Sequence, residues 1–388
     1  MPYLLASWAQ QLQQGGGGSG VSKGKTIRTI PHDNANKGAT QDNNKNPESD
    51  KSKSDKIEKS QLNSMINIIR TQVDDIFRNP PCASTEDESF YRYTLSVEMV
   101  IFSGKFSNIY LAHHQDHPEF ALVGRVYEPT SKIEPSKSIY MKILRHLGKR
   151  HCSIINTWDI FFDSNGRVVI FQEFAIHGNM YEYIKQSNTA IPEVQVNEWV
   201  KNVYSGMSFL GDAGVCHRAI SPKHVLLTPS AEDADKTVAK LGSFRDSVVY
   251  YDPKDNCVRM QPCRPLEKRS HPISIFQAPE VFGDASKEEF DPISADIWSY
   301  GATFFFATTR MLPIRYKSNP DDISNTIQKN IETPKMLSAG AKNWFNGLLR
   351  GDASCRTTFD KIPTDPWYKS PGGTSNPPPN AKKAEKKV

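Results

Sequence analysis

Five β-rich runs, separated by turn signals, occupy residues 91–173 and constrain the fold more than any other feature. They read YTLSVEMVIFSG, FSNIYLAHH, FALVGRVYE, SIINTWDIFFD and GRVVIFQEFA, and one amphipathic helical stretch, SIYMKILRHLGKRH, lies between the third and the fourth. From residue 178 the pattern becomes mostly helical, in NMYEYIKQ, VNEWVKNVYSGMSFLGDAG, ADIWSYGATFFFATTRM and AGAKNWFNGLLRGD. The sequence therefore predicts an α+β fold with a small β-rich lobe at 91–173 that contains one helix, and a larger, mostly α-helical lobe at 178–369.

The two ends of the chain differ in composition from this central region. Residues 1–60 are rich in glycine, asparagine, lysine, serine and aspartate, and residues 370–388 are rich in proline and lysine. Such segments bury too little apolar surface to offset the entropy of ordering, so we predict that both are disordered. The net charge of +5, from 48 basic and 43 acidic residues, is a mild excess, and we expect no nucleic-acid partner.

An amphipathic helix is predicted at residues 61–80, between the polar N-terminal region and the first β-rich run. Apolar residues recur there at helical spacing, at Leu62, Ile66, Ile69, Val73 and Ile76. Pro80 and Pro81 end the pattern. The helix either docks on the following domain or pairs with a helix of a partner. Docking is favoured, because one short helix is a poor coiled coil.

The cysteine pattern and the hydropathy indicate where the chain works. The six cysteines are scattered, with no CxxC pair and no histidine at zinc-finger spacing, so we expect reduced thiols and no metal site. The N-terminal apolar patch is short and lacks a preceding basic region, and no apolar run is long enough to span a membrane. We expect a cytoplasmic protein, with the nucleus left open.

Several short motifs follow one another in a characteristic order: GKFSNIYLA, LVGRV, FQEFAIHGNMYEYI, CHRAISPKHVLL, KLGSFRD, QAPEVF, DIWSYGATFFFATTRMLPI and RGDASCRTTFDKIPTDPW. In this order they resemble the eukaryotic protein kinase domain over residues 91–369. The resemblance assigns them, in turn, to the glycine-rich loop, the lysine strand, the hinge, the catalytic loop, the metal-binding segment, the end of the activation segment, the core helix and the approach to the last helix. The spacing is loosely similar to that of testis-specific and calcium/calmodulin-type serine/threonine kinases.

The phosphate-binding positions that the resemblance implies are largely replaced. Phe102, Gly104 and Ser107 stand where the glycine-rich loop has three glycines, and we interpret this stretch as a plain turn. Arg125 replaces the strand lysine, a swap that is not conservative. Counting from RHCSII, Lys142 falls at the position of the helix glutamate, opposite Arg125; in another register Glu134 is the partner.

The catalytic positions are replaced as well. Ala219 stands where the family has its aspartate base, Ser221 replaces the neighbouring lysine, and His224 replaces the asparagine that holds magnesium. Ser243 replaces the aspartate that holds the metal, and imidazole and neutral hydroxyl are poor ligands for a hard cation. We therefore predict no catalytic residues and no metal site, and we interpret Asp246 as a solvated loop residue.

Residues that support the fold of the family are retained. The resemblance implies that Asp296 accepts hydrogen bonds from the backbone of the catalytic loop. It implies that Glu280 and Arg356 form a buried ion pair, and that Arg218 ties the loop to the core helix or to a phosphate. Further matches to the family pattern are Trp298, Gly301 and Trp367.

A nucleotide pocket, if ATP binds, is expected from the same alignment. Its residues would be Gly104, Ile109, Arg125, Glu173, Ala175 and Leu226. Gln172 takes the gatekeeper position and is expected to hydrogen-bond across the pocket. No cofactor is required under this interpretation, and ATP would bind without a metal ion. Candidate phosphorylation sites in the activation segment are Ser247, Tyr250, Tyr251, Ser270 and Ser274.

These losses beside a retained scaffold predict a pseudokinase that acts as an interaction or allosteric scaffold in phosphorylation signalling. Its partners would be other proteins: an active kinase, a substrate or a scaffold. The alternative is a weak or unconventional serine/threonine kinase that uses Arg125 with Asp246 or His224 in new roles. In a third hypothesis the lysine-rich ends carry the binding function, and the domain is only a platform.

Overall fold

The computed structural model describes part of the chain: residues 28–29, 48–79, 83–84, 92–104, 107–129, 138–163, 166–230, 233, 236–265, 274–314 and 323–371. The predictions of disorder at residues 1–27, 30–47 and 372–388 lie outside these ranges, as does Glu134.

A six-stranded sheet forms the smaller lobe. Besides β1 (Arg28–Thr29), which lies elsewhere, the N-terminal strands are β2 (Ala83–Ser84), β3 (Tyr93–Ser103), β4 (Asn108–His114), β5 (His117–Tyr127), β6 (Thr157–Phe162) and β7 (Val168–Glu173). The order in the sheet is β2-β6-β7-β5-β4-β3, antiparallel except for the β2–β6 pair. The five predicted strands are confirmed as β3 to β7, and β2 adds a two-residue edge.

The register of the sheet decides which side chains share a face. Ile109 pairs with Arg125, and Arg125 pairs with Ile170 on the next strand. Because side chains alternate along a strand, Gln172 lies on the same face as Ile170 and hence as Arg125. The opposite face carries a small core, in which the rings of Tyr93 and Phe171 stack with centroids 4.1 Å apart.

The one helix predicted for this lobe is confirmed as α2 (Ile139–Leu147), which follows α1 (Glu48–Arg78) along the chain. The Ser138 hydroxyl accepts a hydrogen bond from the Met141 amide at 3.4 Å, and Gly148 ends the helix with φ of 49°. Its apolar face is buried in the main core, including Met141, Ile143 and Leu144.

Helix α1 (Glu48–Arg78) begins well before the predicted start at residue 61, inside the segment predicted to be disordered. Its first turns are rich in lysine, aspartate and glutamate and continue the helix without an apolar stripe. The apolar stripe further along is buried against the domain, with Ile66, Ile69, Val73 and Ile76 at most 5% exposed. Docking of this helix is therefore confirmed.

Helix α1 joins two parts of the domain. Asp75 receives a hydrogen bond from His146 of α2 at 2.9 Å, and Val73 packs over the turn at Gly214. Gly214 has φ of 66°, and a Cβ there would lie 2.7 Å from a Val73 methyl. Only glycine allows this approach of helix and turn.

The larger lobe is mostly helical, as predicted. Its helices are α3 (Met180–Gln186), α4 (Glu193–Asp212), α5 (Pro292–Thr309), α6 (Ile323–Glu332), α7 (Ala339–Leu348) and α8 (Pro366–Lys369). Helix α5 is buried on almost every side, with Trp298, Tyr300, Phe304 and Phe305 fully covered. The fold class is therefore confirmed: a β-sheet lobe followed by a helical lobe.

Short strands occur among the loops of the larger lobe. They are β8 (Val215–Cys216), β9 (Val225–Pro229), β10 (Thr237–Leu241), β11 (Val248–Val249), β12 (Tyr251–Asp252), β13 (Cys257–Val258), β14 (Gln261–Pro262) and β15 (Glu289–Phe290). Strand β1 pairs with β13, so that N-terminal backbone extends the β12–β13 hairpin. Across the ranges described above, none of the helices has the length and apolar character needed to cross a membrane.

Candidate active site

The loop between β8 and β9 is anchored from below by helix α5. The carboxylate of Asp296 accepts hydrogen bonds from the amides of His217 at 2.7 Å and Arg218 at 2.8 Å. Asp296 is fully buried, and burial raises the pKa of this carboxyl to about 7 despite the two amide donors. The predicted role of Asp296 is confirmed.

Ala219 lies at the centre of this loop and is 1% exposed. Its amide donates to Nδ1 of His217 at 3.3 Å, and its carbonyl accepts from Nδ1 of His224 at 2.7 Å. His217 donates from Nε2 to the Gly242 carbonyl at 2.9 Å. Both imidazoles thus form hydrogen bonds with backbone groups. At the position where the family has its catalytic aspartate, Ala219 supplies only a methyl group.

Both histidines are held neutral by their surroundings. Burial, helped by nearby His224, lowers the pKa of His217 to about 4. Burial also lowers the pKa of His224, and the cations of Arg125 and Lys223 act in the same direction. With Nδ1 committed to a carbonyl, His224 has only Nε2 left to offer.

Ser221 is completely buried, and its hydroxyl has no hydrogen-bond partner among the described residues. A buried hydroxyl without a partner is unfavourable by about 1–3 kcal/mol. The long cationic side chain of a lysine, which the resemblance places here, would have to leave this enclosed position to reach solvent.

The segment Ser243–Phe244–Arg245 follows β10 and opens a short 3₁₀ turn. Ser243 has φ of 64° and ψ of 56°, the left-handed region that non-glycine residues rarely adopt. Phe244 is fully buried, and its ring lies 5.1 Å from that of His217. The segment therefore keeps an ordered, inward-packed arrangement although a serine stands at the metal-binding position.

Asp246 is exposed, as predicted for a solvated loop residue, and it also has a charge partner. Its carboxylate lies 3.2 Å from the guanidinium of Arg264 and acts electrostatically on His217 and His224. The pair joins the beginning of the activation segment to its later part. No local sequence pattern predicts this pair, because 18 residues separate its two members.

Arg125 points from β5 toward the loop between β3 and β4. Its guanidinium donates to the Ser107 hydroxyl at 3.4 Å, and Gly104 donates its amide to the Ser107 carbonyl at 3.1 Å. The Phe102 ring folds against Gly104, where a Cβ would lie 2.6 Å from the ring. Gly104 and Ser107 are thus joined to each other, and Arg125 ties Ser107 to the strand; the predicted turn between them, residues 105–106, lies outside the described ranges.

The predicted opposition of Arg125 and Lys142 is wrong. Lys142 turns toward helix α1, with its Nζ 5.9 Å from the centroid of the Phe77 ring. Tyr140, two residues earlier and thus on nearly the opposite side of the helix, faces the strand instead. Its hydroxyl lies 3.5 Å from that of Tyr127, and Arg125 acts on it electrostatically.

Tyr140 is therefore a site residue that the sequence reasoning missed. Burial raises the pKa of Tyr140 well above its ordinary value, so it is a neutral phenol and not an anionic partner for Arg125. The helical phase of the apolar residues that follow it, Ile143, Leu144 and Leu147, is the signal that could have located it. In the described part of the chain, Arg125 forms no ion pair with a carboxylate.

The expected nucleotide-binding residues lie at the edges of the lobes. Ile109 and Leu226 are half-buried, and Ala175 is buried in the hinge. Glu173 directs its side chain to Lys240 of β10 at 2.5 Å, which ties the hinge to the large lobe. Gln172 donates to the Thr157 hydroxyl at 3.1 Å, so it bonds within the sheet and not across the pocket.

The donor set does not fit a magnesium ion. Magnesium requires hard oxygen ligands, mainly carboxylates, whereas the two positions that would hold it carry a neutral serine hydroxyl and the imidazole of His224. Over the described ranges, no group of three or more histidine, cysteine, aspartate and glutamate side chains is arranged to hold a metal. We therefore derive no chemical step through a metal ion.

The predicted ion pair of Glu280 and Arg356 is confirmed. Two parallel hydrogen bonds of 2.6 and 2.8 Å join them, and the arginine side chain is 1% exposed. Arg356 also donates to the carbonyls of Arg350 and Ser294, each at 2.9 Å. Its remaining face lies 5.0 Å from the ring of Trp298, so the charge is fully compensated.

The candidate phosphorylation sites are enclosed in this conformation. Ser247, Tyr250, Tyr251 and Ser274 are all buried, and Ser270 lies outside the described residues. Arg218, the expected phosphate partner, donates instead to the Gln261 side chain at 3.0 Å. A protein kinase would reach these four hydroxyls only after local opening of the segment.

Comparisons with known proteins cover most of the described region. The family model described as "Protein kinase domain" matches residues 95–368, which is more than half of the chain. Serine/threonine-protein kinase SRK2F of Arabidopsis thaliana is 25% identical over 69% of this chain and 71% of its own length. Serine/threonine-protein kinase SAPK4 of Oryza sativa subsp. japonica is 24% identical over 69% and 70%, and Aurora kinase B of Danio rerio is 23% identical over 71% and 79%.

Proposed function

The chain belongs to the protein kinase domain family, and we propose that it is a catalytically impaired member, a pseudokinase, that acts by binding other proteins. The partners in this proposal are an active kinase, a substrate or a scaffold of phosphorylation signalling. The scattered cysteines support a cytoplasmic place of action as part of the same proposal.

The observation that carries the proposal is the environment of Ala219. Phosphoryl transfer depends on a group that orients the attacking hydroxyl and on charges that stabilise the transferred phosphoryl group. At Ala219 there is a buried methyl group, and the two nearest imidazoles are engaged with backbone carbonyls and amides. His217 has both ring nitrogens engaged, and His224 keeps only Nε2, which burial makes a weaker base because it lowers the pKa of the ring.

The remaining charged groups support the same conclusion. Arg125 is occupied with Ser107 and faces a neutral tyrosine, so the ion pair that positions a nucleotide phosphate in the family has no equivalent here. Ser243 brings a hydroxyl where a negative charge would be needed to bridge a metal ion. Losses in a set of groups that act together are not repaired by one relocated residue.

The intact scaffold supports a binding role. Asp296 holds the central loop, and the Glu280–Arg356 pair holds the end of the activation segment. A chain that maintains buried charge networks of this kind keeps a defined surface, which is what a scaffold requires. ATP, if it binds, would be a structural ligand that needs no metal ion.

A thermal-shift experiment on the full chain tests this proposal. The melting temperature is measured with ATP in excess Mg²⁺ and with ATP in EDTA, because a ligand that binds only the folded state raises it. Ile109→Trp, which fills the position expected for adenine, is compared with Met99→Trp at a site that is 57% exposed on the edge strand. We expect one of two results. ATP either leaves the melting temperature unchanged in both buffers, or raises it equally in both, in which case Ile109→Trp abolishes the rise and Met99→Trp does not.

A shift that requires Mg²⁺ would contradict the proposal and favour the alternative function, a weak or unconventional serine/threonine kinase. One observation speaks for this alternative: Asp246 is a carboxylate that acts electrostatically on both His217 and His224. In that case ATP turnover would fall in Asp246→Ala and in His224→Ala, and the pseudokinase proposal would have to be given up.

A further inference from the structure

A cavity of about 790 Å³ lies between helix α1 and the β12–β13 hairpin of the activation segment. None of the residues assigned above to the nucleotide or catalytic positions lines it. A volume of this size is in the range of sites that enclose a small ligand or one large side chain.

Positive charge from both elements converges on this cavity. Helix α1 contributes Arg70, and the hairpin contributes Lys254 and Arg259. The guanidinium of Arg70 reaches the hydroxyl of Tyr251, while its Nε is buried and has no hydrogen-bond partner among the described residues. A buried guanidinium N–H without an acceptor is unfavourable, so the charge of Arg70 is only partly compensated by its contacts in the protein.

The two acidic side chains in the wall are already compensated. Asp252 is paired with Arg259 and accepts a hydrogen bond from the Lys254 amide at 2.9 Å. Asp74 is paired with Arg78 at 3.4 Å. Over the described ranges neither Arg70 nor Lys254 forms an ion pair, so these two cations give the cavity an excess of positive charge.

Apolar and aromatic groups form the rest of the wall. The Phe77 ring is 51% exposed, an unusual exposure for a large aromatic side chain, and it faces the cavity beside Val249 and Pro253. Tyr251 adds a second ring. The cavity therefore combines a cationic end with walls that suit the flat face of an aromatic ligand.

We propose that this cavity binds a phosphorylated tyrosine side chain of a partner protein, with its phosphate between Arg70 and Lys254 and its ring against Phe77. A phosphate carries close to two negative charges and three acceptor oxygens, so it can engage two separate cations, which a single carboxylate does less well. The aromatic wall distinguishes phosphotyrosine from phosphoserine and phosphothreonine, which have no ring. The bound side chain would join helix α1 to the activation segment.

This proposal is separate from the state of the cleft between the lobes. It requires neither ATP nor phosphoryl transfer by this chain, and the binding measurement gives the same answer whether or not the cleft is catalytically impaired.

Isothermal titration calorimetry on the full chain tests the site with simple probes. Phenyl phosphate represents the complete side chain, inorganic phosphate lacks the ring, and benzoate carries a ring with a single negative charge. Phenyl phosphate is expected to bind, with at least about tenfold weaker binding of each of the other two, because each lacks one of the two recognised parts.

Variants locate the binding. Arg70→Gln and Lys254→Gln are each expected to weaken phenyl phosphate binding about tenfold, whereas Lys185→Gln, on helix α3, 70% exposed and outside the cavity wall, is expected to leave it unchanged. Lys254 lies on the exposed turn of the hairpin, so its substitution keeps the fold even if Arg70→Gln does not. Equal binding of phenyl phosphate and inorganic phosphate, no binding of phenyl phosphate, or an unchanged affinity in Lys254→Gln would each overturn the proposal.

Discussion

The imidazole of His224 donates from Nδ1 to the carbonyl oxygen of Ala219 across 2.7 Å. The amide of Ala219 donates to Nδ1 of His217 at 3.3 Å. Histidine side chains therefore hold both the amide and the carbonyl of Ala219. The shape of the loop is thus maintained by side-chain contacts to the backbone and needs no carboxylate at its centre. In this protein the histidine at the metal-binding position has a structural task.

Substitution of Ser221 by alanine is expected to raise the free energy of unfolding by about 1 kcal/mol, because it removes a buried hydroxyl that has no partner. The matched control is Ser247→Ala. Ser247 is also buried, but its hydroxyl donates to the His217 carbonyl at 3.3 Å, so this variant is expected to lose about 1 kcal/mol. Urea denaturation measures both, and equal losses in the two variants would contradict the description of Ser221.

Substitution of Arg356 by methionine is expected to lower the free energy of unfolding by about 3 kcal/mol or more. It leaves the Glu280 carboxylate, 25% exposed, without its charge partner and removes two hydrogen bonds to carbonyls. Arg78→Met, which breaks an exposed ion pair on α1, should change stability by less than about 0.5 kcal/mol. Similar melting temperatures of the two variants would show that the buried pair does not hold the activation segment.

Docking of helix α1 is tested by two apolar substitutions on the same helix. Val73 is fully buried against Gly214, so Val73→Ala is expected to cost about 1–3 kcal/mol of stability. Ile68 is 51% exposed, and Ile68→Ala should have little effect. Chemical denaturation followed by tryptophan fluorescence distinguishes them. If both substitutions prove neutral, the helix does not pack on the domain in solution.

The pH dependence of stability tests the neutral state of His217. Its pKa falls from its ordinary value of 6.5 to about 4 in the folded protein, because the ring is buried. The unfolded chain therefore binds a proton that the folded protein does not, and His217 favours unfolding as the pH falls from 6.5 toward 4. Buried Asp296 acts in the opposite sense: with a pKa of about 7, its contribution is full below about pH 4 and is lost as the pH rises toward 7.

In His217→Gln the contribution of His217 is absent, whereas those of Asp296 and of the other buried histidines remain. As the pH falls from 6.5 to 4, the free energy of unfolding of this variant is therefore expected to rise, relative to that of the natural chain, by up to about 3 kcal/mol. Urea denaturation at a series of pH values measures this difference, in which the titration of Asp296 cancels. Parallel stability curves for the two proteins would mean that His217 already titrates normally in the fold.

The parts of the fold that local sequence determines were predicted well. Strand alternation predicts β3 to β7, and the resemblance to the protein kinase domain implies the contacts of Asp296 and of the Glu280–Arg356 pair. These succeeded because each depends on a short stretch with its own periodicity or on a motif whose geometry varies little.

The errors arose where the answer depends on packing between distant segments. Counting back from His151 assigns Lys142 to the position of the helix glutamate, opposite Arg125. That count does not fix the length of the turn after Gly148, and the helical phase places Tyr140 toward Arg125 instead. Likewise, polar residues before position 61 gave no apolar pattern that could reveal the early start of α1. The cavity beside Arg70 exists only because two segments far apart in sequence meet there.

A phosphotransfer measurement shows whether the chain is catalytically impaired. The purified full chain is incubated with γ-labelled ATP, Mg²⁺ and a general protein substrate, and the transferred label is compared with that from an active serine/threonine kinase and from Ile109→Trp. We expect no transfer above the Ile109→Trp level, because Ala219, Ser243 and His224 supply neither a carboxylate base nor carboxylate metal ligands. Robust, Mg²⁺-dependent transfer that Ile109→Trp abolishes would contradict it.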